Sequence, residues 1–157
     1  MAKKEKAAKG NDKVVALLNR IMESELAGVV RYTHYSLMVF GYNRIPIISW
    51  LRGQADESLA HAHKAGELIT HLGGHPSLGI GPLLETHNHD VGDILRESLA
   101  HEGAALQLYR ELLKEVGGVS VMLEEYAREM IYTEELHLGE VDKMLRKPGD
   151  VAAFVER

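Results

Sequence analysis

The apolar residues of this chain recur with helical spacing almost from end to end, and this periodicity is the strongest constraint on its fold. Four segments each carry one apolar stripe, and no segment shows the sustained two-residue alternation of a half-buried strand. Helix-breaking residues separate the segments, among them Gly41, Gly73, Gly117 and Pro148. The pattern predicts an all-α protein whose four long helices pack as an antiparallel bundle.

Capping residues and breakers set the expected bounds of these helices. The four are predicted over residues 11–40, 46–72, 91–116 and 121–147, with Asp90 and Ser120 as the N-caps of the third and fourth. The Gly- and Pro-rich connection over 73–88 is the longest. If it crosses along the bundle, the second and third helices are parallel. Asp150 is expected to cap a short fifth helix that reaches about Val155.

Charge is distributed unevenly along the chain. Residues 1–10 carry four Lys and one Glu and are predicted to form a disordered basic tail, with a DNA-touching arm as the alternative. Residues 11–157 are predicted to form one domain. Since the whole chain has a net charge of −5, this domain is strongly acidic. An acidic domain argues against nucleic acid as the main partner and suits a protein that handles cations.

Several sequence features are missing, and their absence narrows the class of protein. The chain has no Cys, which excludes disulfide scaffolds, thiolate catalysis and iron–sulfur clusters and fits a reducing compartment. No apolar run approaches the roughly 18 residues that a membrane span requires. The charged start, Met1 to Gly10, is not followed by the hydrophobic stretch of a secretory signal. We therefore expect a cytoplasmic protein without a membrane partner.

Ionisable side chains interrupt the apolar stripes where a core is expected. Glu25, Glu102 and Glu134 each lie three or four residues from a stripe residue, and His137 follows Glu134 by three. His61 lies at the edge of the second stripe. Each side chain should therefore face inward, where a carboxylate is costly unless it is paired or binds metal. Taken singly, each also allows a structural interpretation, as a Glu that reaches water or a His satisfied within the core.

The pattern of these residues is duplicated in the two halves of the chain. Glu25 precedes His61 by 36 residues, and Glu102 precedes His137 by 35. Each of these two Glu residues is followed seven positions later by a tyrosine, Tyr32 in the first half and Tyr109 in the second. Carboxylates and neutral imidazoles together suit two iron or manganese ions bound between the helices. The duplication therefore predicts a two-metal site inside the bundle.

The ordered motifs resemble those of bacterioferritin, within the ferritin-like superfamily. The similarity covers roughly residues 11–150. Its motifs are Glu25-Leu26 with Tyr32, His61-Ala62 leading to Gly74-His75-Pro76, Leu95-Arg96 through Glu102, and Glu134-Glu135-x-His137. The resemblance implies a ferritin-like four-helix bundle.

The resemblance also implies a ligand set and an activity. Glu25 and Glu102 would be terminal ligands, Glu134 a bridging carboxylate, and His61 and His137 the nitrogen ligands. The three glutamates would be the catalytic residues of a ferroxidase, which oxidises Fe²⁺ with O₂ or peroxide at a di-iron site. The ferric mineral would be stored in a hollow homo-oligomeric shell, a 24-mer in this family, which can include a second kind of ferritin subunit.

One ligand position departs from the family pattern. The family has Glu-x-x-His on its second helix, whereas this chain has Ser58 three residues before His61. Glu57 is the nearest carboxylate and is predicted to replace the missing ligand. On an ideal helix it lies about 40° from His61, away from the core centre, so that a one-residue π-bulge would be needed to swing it inward.

A second departure concerns haem. The family ligates haem through a Met two residues before the second-helix His, and that position is Leu59 here, so no haem is expected. The remaining histidines are interpreted as surface residues or as a secondary metal site. His71, His75, His87 and His89 are expected to cluster near the long connection, and His34 and His101 to lie outside the core or at an interface.

Three functions remain open at this point. The first is an iron-storage ferroxidase. The second is a catalytically impaired shell or mineral-nucleating subunit, weakened by Ser58. The third is another di-iron enzyme, an oxidase or peroxidase that acts on something other than storage iron.

Overall fold

Four helices make up most of the protein. The structure, a computed structural model, describes residues 2–83 and 86–155, with side chains from residue 11 onward. The helices are α1 (Ala2–Met38), α2 (Arg44–His71), α3 (Val91–Val116) and α4 (Val121–Leu145). Across these described residues there is no strand. No described helix combines the length and apolarity needed to cross a bilayer. The predicted all-α four-helix bundle is confirmed.

The long connection between α2 and α3 crosses the whole length of the bundle. At its beginning, Asn11 Nδ2 donates to the carbonyl oxygen of Leu72, 3.2 Å away, near the start of α1. At its end, the rings of His89 and His34 are 5.5 Å apart, near the end of α1. The described parts of this connection, 72–83 and 86–90, therefore lie alongside α1. Both α2 and α3 are antiparallel to α1, and they are parallel to each other.

Side-chain caps fix where the second pair of helices begins. The Asp90 carboxylate accepts a hydrogen bond from the amide of Gly92 at 2.9 Å, and the Ser120 hydroxyl accepts from Leu123 N at 3.4 Å. Each cap satisfies an amide that has no partner within its own helix. Both N-caps are confirmed as predicted.

The core of the bundle is divided into two apolar regions. One packs residues such as Leu18, Ile69 and Leu112, and the other packs Val39 and Leu51 with their neighbours. Along each helix, the predicted ionisable residues fall between these two regions or at the edge of one. The first region joins all four helices and the second joins α1, α2 and α3, so apolar packing lies on both sides of a polar middle layer.

Both ends of the chain differ from the predictions. α1 begins at Ala2, so the backbone of the predicted disordered tail is helical; Ala, Lys and Glu, which dominate that segment, are strong helix formers. The predicted fifth helix is absent from the described residues after α4. Gly149 has a φ of 83° there, and Asp150 Oδ1 accepts from Ala152 N at 3.0 Å. That local turn uses the carboxylate that was expected to cap a helix.

Candidate metal centre

All four helices contribute an ionisable side chain to the polar middle layer. Glu25 of α1, His61 of α2, Glu102 of α3 and Glu134 of α4 are buried, and His137 of α4 is half-buried. Each side chain projects from the apolar face of its helix, as the spacing predicted. The structure therefore brings together the residues that the sequence singled out.

These residues form two sets of possible metal ligands that share one carboxylate. Glu25, His61 and Glu134 each offer an atom within 4.8 Å of the others, and so do Glu102, Glu134 and His137. Glu134 Oε1 lies 3.3 Å from His61 Nδ1, whereas its Oε2 lies 3.7 Å from His137 Nδ1. One oxygen of Glu134 therefore faces each set, which is the arrangement a bridging carboxylate needs.

The donor atoms of the centre do not fully satisfy one another by hydrogen bonds, and their chemistry suits a pair of divalent cations. Among the described residues, no hydrogen-bond partner reaches Glu134 Oε2, although this atom is buried. A buried carboxylate oxygen without a partner is costly, and a cation would remove that cost. Carboxylate oxygen and imidazole nitrogen together are donors that iron and manganese accept.

Two tyrosines form equivalent hydrogen bonds to Glu25 and Glu102, the two outer carboxylates, each of which belongs to only one donor set. Tyr109 of α3 donates its hydroxyl proton to Glu25 Oε1 at 2.7 Å, and Tyr32 of α1 donates to Glu102 Oε1. Both tyrosines are buried. Groups that hydrogen-bond to a ligand fix its orientation and tune its affinity for metal. The duplication in the sequence is therefore also a duplication in space, with each tyrosine serving the carboxylate of the opposite half.

Burial dominates the electrostatics of the two outer carboxylates. It raises the pKa of Glu25 above the usual value, against the opposing effect of a hydrogen bond to His61. Burial also raises the pKa of Glu102, and the nearby charge of Glu134 raises it further. Both carboxyls therefore retain protons more strongly than a carboxyl in water.

The shared carboxylate and its imidazole partner stabilise each other's charged forms. Burial acts to raise the pKa of Glu134, but polar interactions with His137, His61 and Glu102 lower it overall. Burial acts to lower the pKa of His61, but hydrogen bonds with Glu134 and Glu25 raise it to about 10. The metal-free centre therefore holds an imidazolium against a carboxylate. Because imidazole binds metal only when neutral, metal binding must release that proton.

The position three residues before His61, which departs from the family pattern, is occupied by Ser58, and Glu57 lies next to it. Ser58 is buried, and Glu57 is half-buried, with its Oε1 3.2 Å from His137 Nε2 and 4.0 Å from His61 Nε2. α2 is a continuous α-helix from Arg44 to His71, so the expected π-bulge is absent. Glu57 reaches the imidazoles from its regular helical position because α4 brings His137 towards it.

Sequence reasoning misjudged His101, which is buried in the protein. Its Nε2 would lie 3.2 Å from a Cβ placed on Gly28, and Ser58 Oγ would lie 2.7 Å from that same point. Burial, and then the charge of Arg31, lower the pKa of His101 to about 4. The crossover covers this face of the bundle, where Gly81 lines the same cavity as His101. Helical periodicity alone cannot reveal a face that is covered by a distant loop.

The expected cluster of four histidines is two separate groups in the structure. The carbonyl of His75 accepts from Asn19 near the start of the crossover, whereas His89 lies beside His34 at its far end. Residues 19 and 34 are separated by roughly 22 Å along a helix that rises 1.5 Å per residue. The prediction of one cluster was wrong because the connection is extended along α1.

Comparison with known proteins agrees with this architecture. The family model described as a ferritin-like domain matches residues 15–149. A bacterioferritin from Rhodobacter capsulatus is 30% identical over 132 residues, which is 81% of this chain and 78% of that protein.

Two solved structures share the fold. A ferritin-like, diiron-carboxylate protein from Bacillus anthracis str. Ames has a TM-score of 0.82 at 21% identity, over 87% of this chain and 98% of that one. The Rhodobacter capsulatus bacterioferritin, solved with a metal-free dinuclear site and haem iron, has a TM-score of 0.74 at 26% identity, over 90% and 98%. The family match over most of the chain establishes that this protein belongs to the ferritin-like family and is a homologue of bacterioferritin.

Proposed function

We propose that this protein is a cytoplasmic iron-storage protein that oxidises Fe²⁺ between its four helices. The observation that carries the proposal is the shared carboxylate, Glu134, with one oxygen facing each of two donor sets. Two Fe²⁺ ions held side by side can give two electrons to one oxidant molecule, which turns O₂ and two protons into hydrogen peroxide. A single ion can give only one.

The charges around the centre match those of a pair of divalent cations. Four carboxylates face the donor sets, Glu25, Glu57, Glu102 and Glu134, and they line one cavity with both imidazoles. When ionised, their four negative charges equal the charge of two Fe²⁺ ions. Two Fe³⁺ ions exceed that charge by two, and hydroxide from water balances the excess, with release of protons, as ferric iron hydrolyses towards a mineral. The Tyr32 and Tyr109 hydroxyls hold two of these carboxylates in place throughout.

Assembly into a shell is supported by apolar side chains that a single chain leaves in water. Leu37 and Phe40 at the end of α1, and Tyr42 and Ile45 at the start of α2, are all exposed. A contiguous apolar patch on a protein surface indicates a contact with another molecule. We propose that copies of this chain cover the patch and enclose the mineral, with 24 subunits as the family-based expectation.

The test of this function is oxidation of Fe²⁺ in the assembled protein. Purified protein is sized, loaded anaerobically with Fe²⁺ and mixed with O₂ or peroxide. We expect a large particle and a rapid phase that oxidises two Fe²⁺ per chain. Glu134→Ala is the matched variant and should lack the rapid phase at unchanged particle size. A small oligomer that forms no mineral would contradict the storage function.

One observation favours a second candidate function, an impaired subunit that supports the shell or nucleates mineral. Ser58 is buried at the position where the family has a carboxylate, and its hydroxyl packs against Gly28. If Glu57 does not bind metal, the first half of the centre lacks one carboxylate. A large particle without a rapid phase, restored by mixing with a competent ferritin subunit, would support this second function.

A further inference from the structure

Three histidines converge on the outside of the bundle, away from the carboxylate centre. His34 lies on α1, and His87 and His89 lie at the end of the crossover. The ring of His89 lies 5.5 Å from the ring of His34 and 6.5 Å from that of His87, measured between centroids. His89 therefore stands next to both other imidazoles.

The local backbone holds the two crossover histidines in place. The side chain of Asp90 caps α3 directly after His89, and Asn88 N donates to Thr86 Oγ1 at 3.4 Å around His87. His87 has a φ of 55°, in the left-handed region that few residues other than glycine adopt. This turn leaves the rings of the two histidines 6.5 Å apart, and the ring of His89 is the one that lies beside His34 of α1.

A carboxylate is fixed beside the same segment. Glu97 Oε2 accepts from the hydroxyl of Tyr35 at 2.5 Å, and Glu97 Oε1 accepts from Thr86 Oγ1. Tyr35 follows His34 directly, and Thr86 precedes His87. Glu97 is therefore hydrogen-bonded to the sequence neighbour of His34 and to that of His87, and its carboxylate adds a negative charge to a segment that also holds the guanidinium of Arg31, which donates to Tyr35.

The ring separations are close to those of imidazoles that share a metal ion. With a metal–nitrogen distance of about 2.0–2.1 Å and tetrahedral angles, the centroids of two bound imidazoles are about 5 Å apart. The observed separations are 5.5 and 6.5 Å. The donor nitrogens of these three described residues do not lie within 4.8 Å of one another in the present arrangement, so binding of one ion requires the rings to rotate and the end of the crossover to shift towards α1.

We propose that His34, His87 and His89 form a second metal site, which binds one borderline divalent cation such as Zn²⁺ or Fe²⁺. Three imidazoles leave at least one coordination position for water or for transfer of the ion. Imidazole nitrogens favour such cations over Mg²⁺ and Ca²⁺, which prefer oxygen donors. His34 follows Glu25 by nine residues on α1, so the two sites are separated by roughly 13 Å along the helix.

The test is the stoichiometry of Co²⁺ binding by the full protein, followed through the visible absorption of the bound ion. The double variant His87→Ala/His89→Ala should bind one Co²⁺ fewer per chain than the unmodified protein. The matched control is His71→Ala/His75→Ala, which removes two exposed histidines from the other end of the crossover and should keep the full number. His34→Ala should lower the affinity for the same Co²⁺ ion by about tenfold or more.

Two outcomes would overturn the proposal. One is equal Co²⁺ stoichiometry and affinity in the unmodified protein and the His87→Ala/His89→Ala variant. The other is an equal loss in the His71→Ala/His75→Ala control, which would indicate binding by any surface histidine. Glu134→Ala separates this site from the carboxylate centre, because it should lose the ions of the centre and retain the ion bound by the three histidines.

Discussion

The two halves of the metal centre have the same plan and differ in one carboxylate. In the half formed by α3 and α4, Glu134 precedes His137 by three residues and is buried to 1% exposure. In the half formed by α1 and α2, the position three before His61 is Ser58, and the nearest carboxylate, Glu57, has a side chain that is 35% exposed. A symmetric backbone therefore carries an asymmetric ligand set.

Because of this difference, the two carboxylates, Glu134 and Glu57, occupy different places in the centre. Glu134 sits in the interior, where its two oxygens face different donor sets. Glu57 sits at the edge of the centre and approaches both imidazoles from the solvent side. We infer that Glu134 would hold the pair of ions together, whereas Glu57 would bind from the solvent side of the centre.

The largest expected effect in this comparison is the loss of Glu134. Glu134→Ala should abolish binding of paired metal ions, because it removes a donor from both sets. It should also destabilise the metal-free protein by about 1–3 kcal/mol, since the His61 imidazolium loses one of its buried partners. Mn²⁺ titration and thermal unfolding measure the two effects. Retained binding of two ions would contradict the bridging role.

Loss of Glu57 should have a smaller effect, on the binding of only one of the two ions. Glu57→Ala should weaken that ion by about tenfold to a hundredfold, with little change in thermal stability because the side chain is half-exposed. Gln54→Ala is a matched control, since Gln54 lines the same cavity from the same helix without a charge. Equal Mn²⁺ affinities in the Glu57→Ala and Gln54→Ala variants would show that Glu57 does not bind metal.

Substitution of Ser58 by Glu tests whether the carboxylate position of the family can bind metal in this protein. Ser58→Glu should not strengthen metal binding, because Ser58 lines the same cavity as four carboxylates and a fifth negative charge there would repel them. Mn²⁺ affinity and Fe²⁺ oxidation rates measure the outcome. Tighter binding and faster oxidation would show that the family's own carboxylate position is still usable and that Glu57 does not replace it.

Metal affinity should rise with pH. The pKa of His61 is raised to about 10, and the pKa values of Glu25 and Glu102 are also raised, so the metal-free centre retains protons that metal must displace. Lowering the pH favours the protonated, metal-free form, and raising it towards 10 weakens this competition. Proton release on Mn²⁺ addition in weak buffer measures the effect. Metal binding without proton release would contradict this charge assignment.

The smallest expected effect concerns haem, for which we predict no stoichiometric binding. Leu59 lies on α2 two residues before His61 and offers no ligand atom to iron. The measurement is the visible absorption spectrum of the purified protein. An intense haem band at one haem per two chains would contradict the prediction and would require another ligand.

The sequence predicted most of the fold and the inner part of the candidate centre. Helical periodicity places Glu25, Glu102 and Glu134 inside because an apolar stripe also fixes the direction of every residue on it. It could not place His101 or Glu57, since the burial of one depends on the path of the crossover and the reach of the other depends on α4. Those relations exist only after the helices are packed.

In the proposed centre, one carboxylate, Glu134, joins two metal ions within a single chain. The most direct test is anomalous diffraction from crystals of the protein soaked with Mn²⁺ or, without oxygen, with Fe²⁺. We expect two peaks between the helices, one near Glu25 and His61 and the other near Glu102 and His137, both within ligand distance of Glu134. A single peak, or two peaks that do not share Glu134, would contradict it.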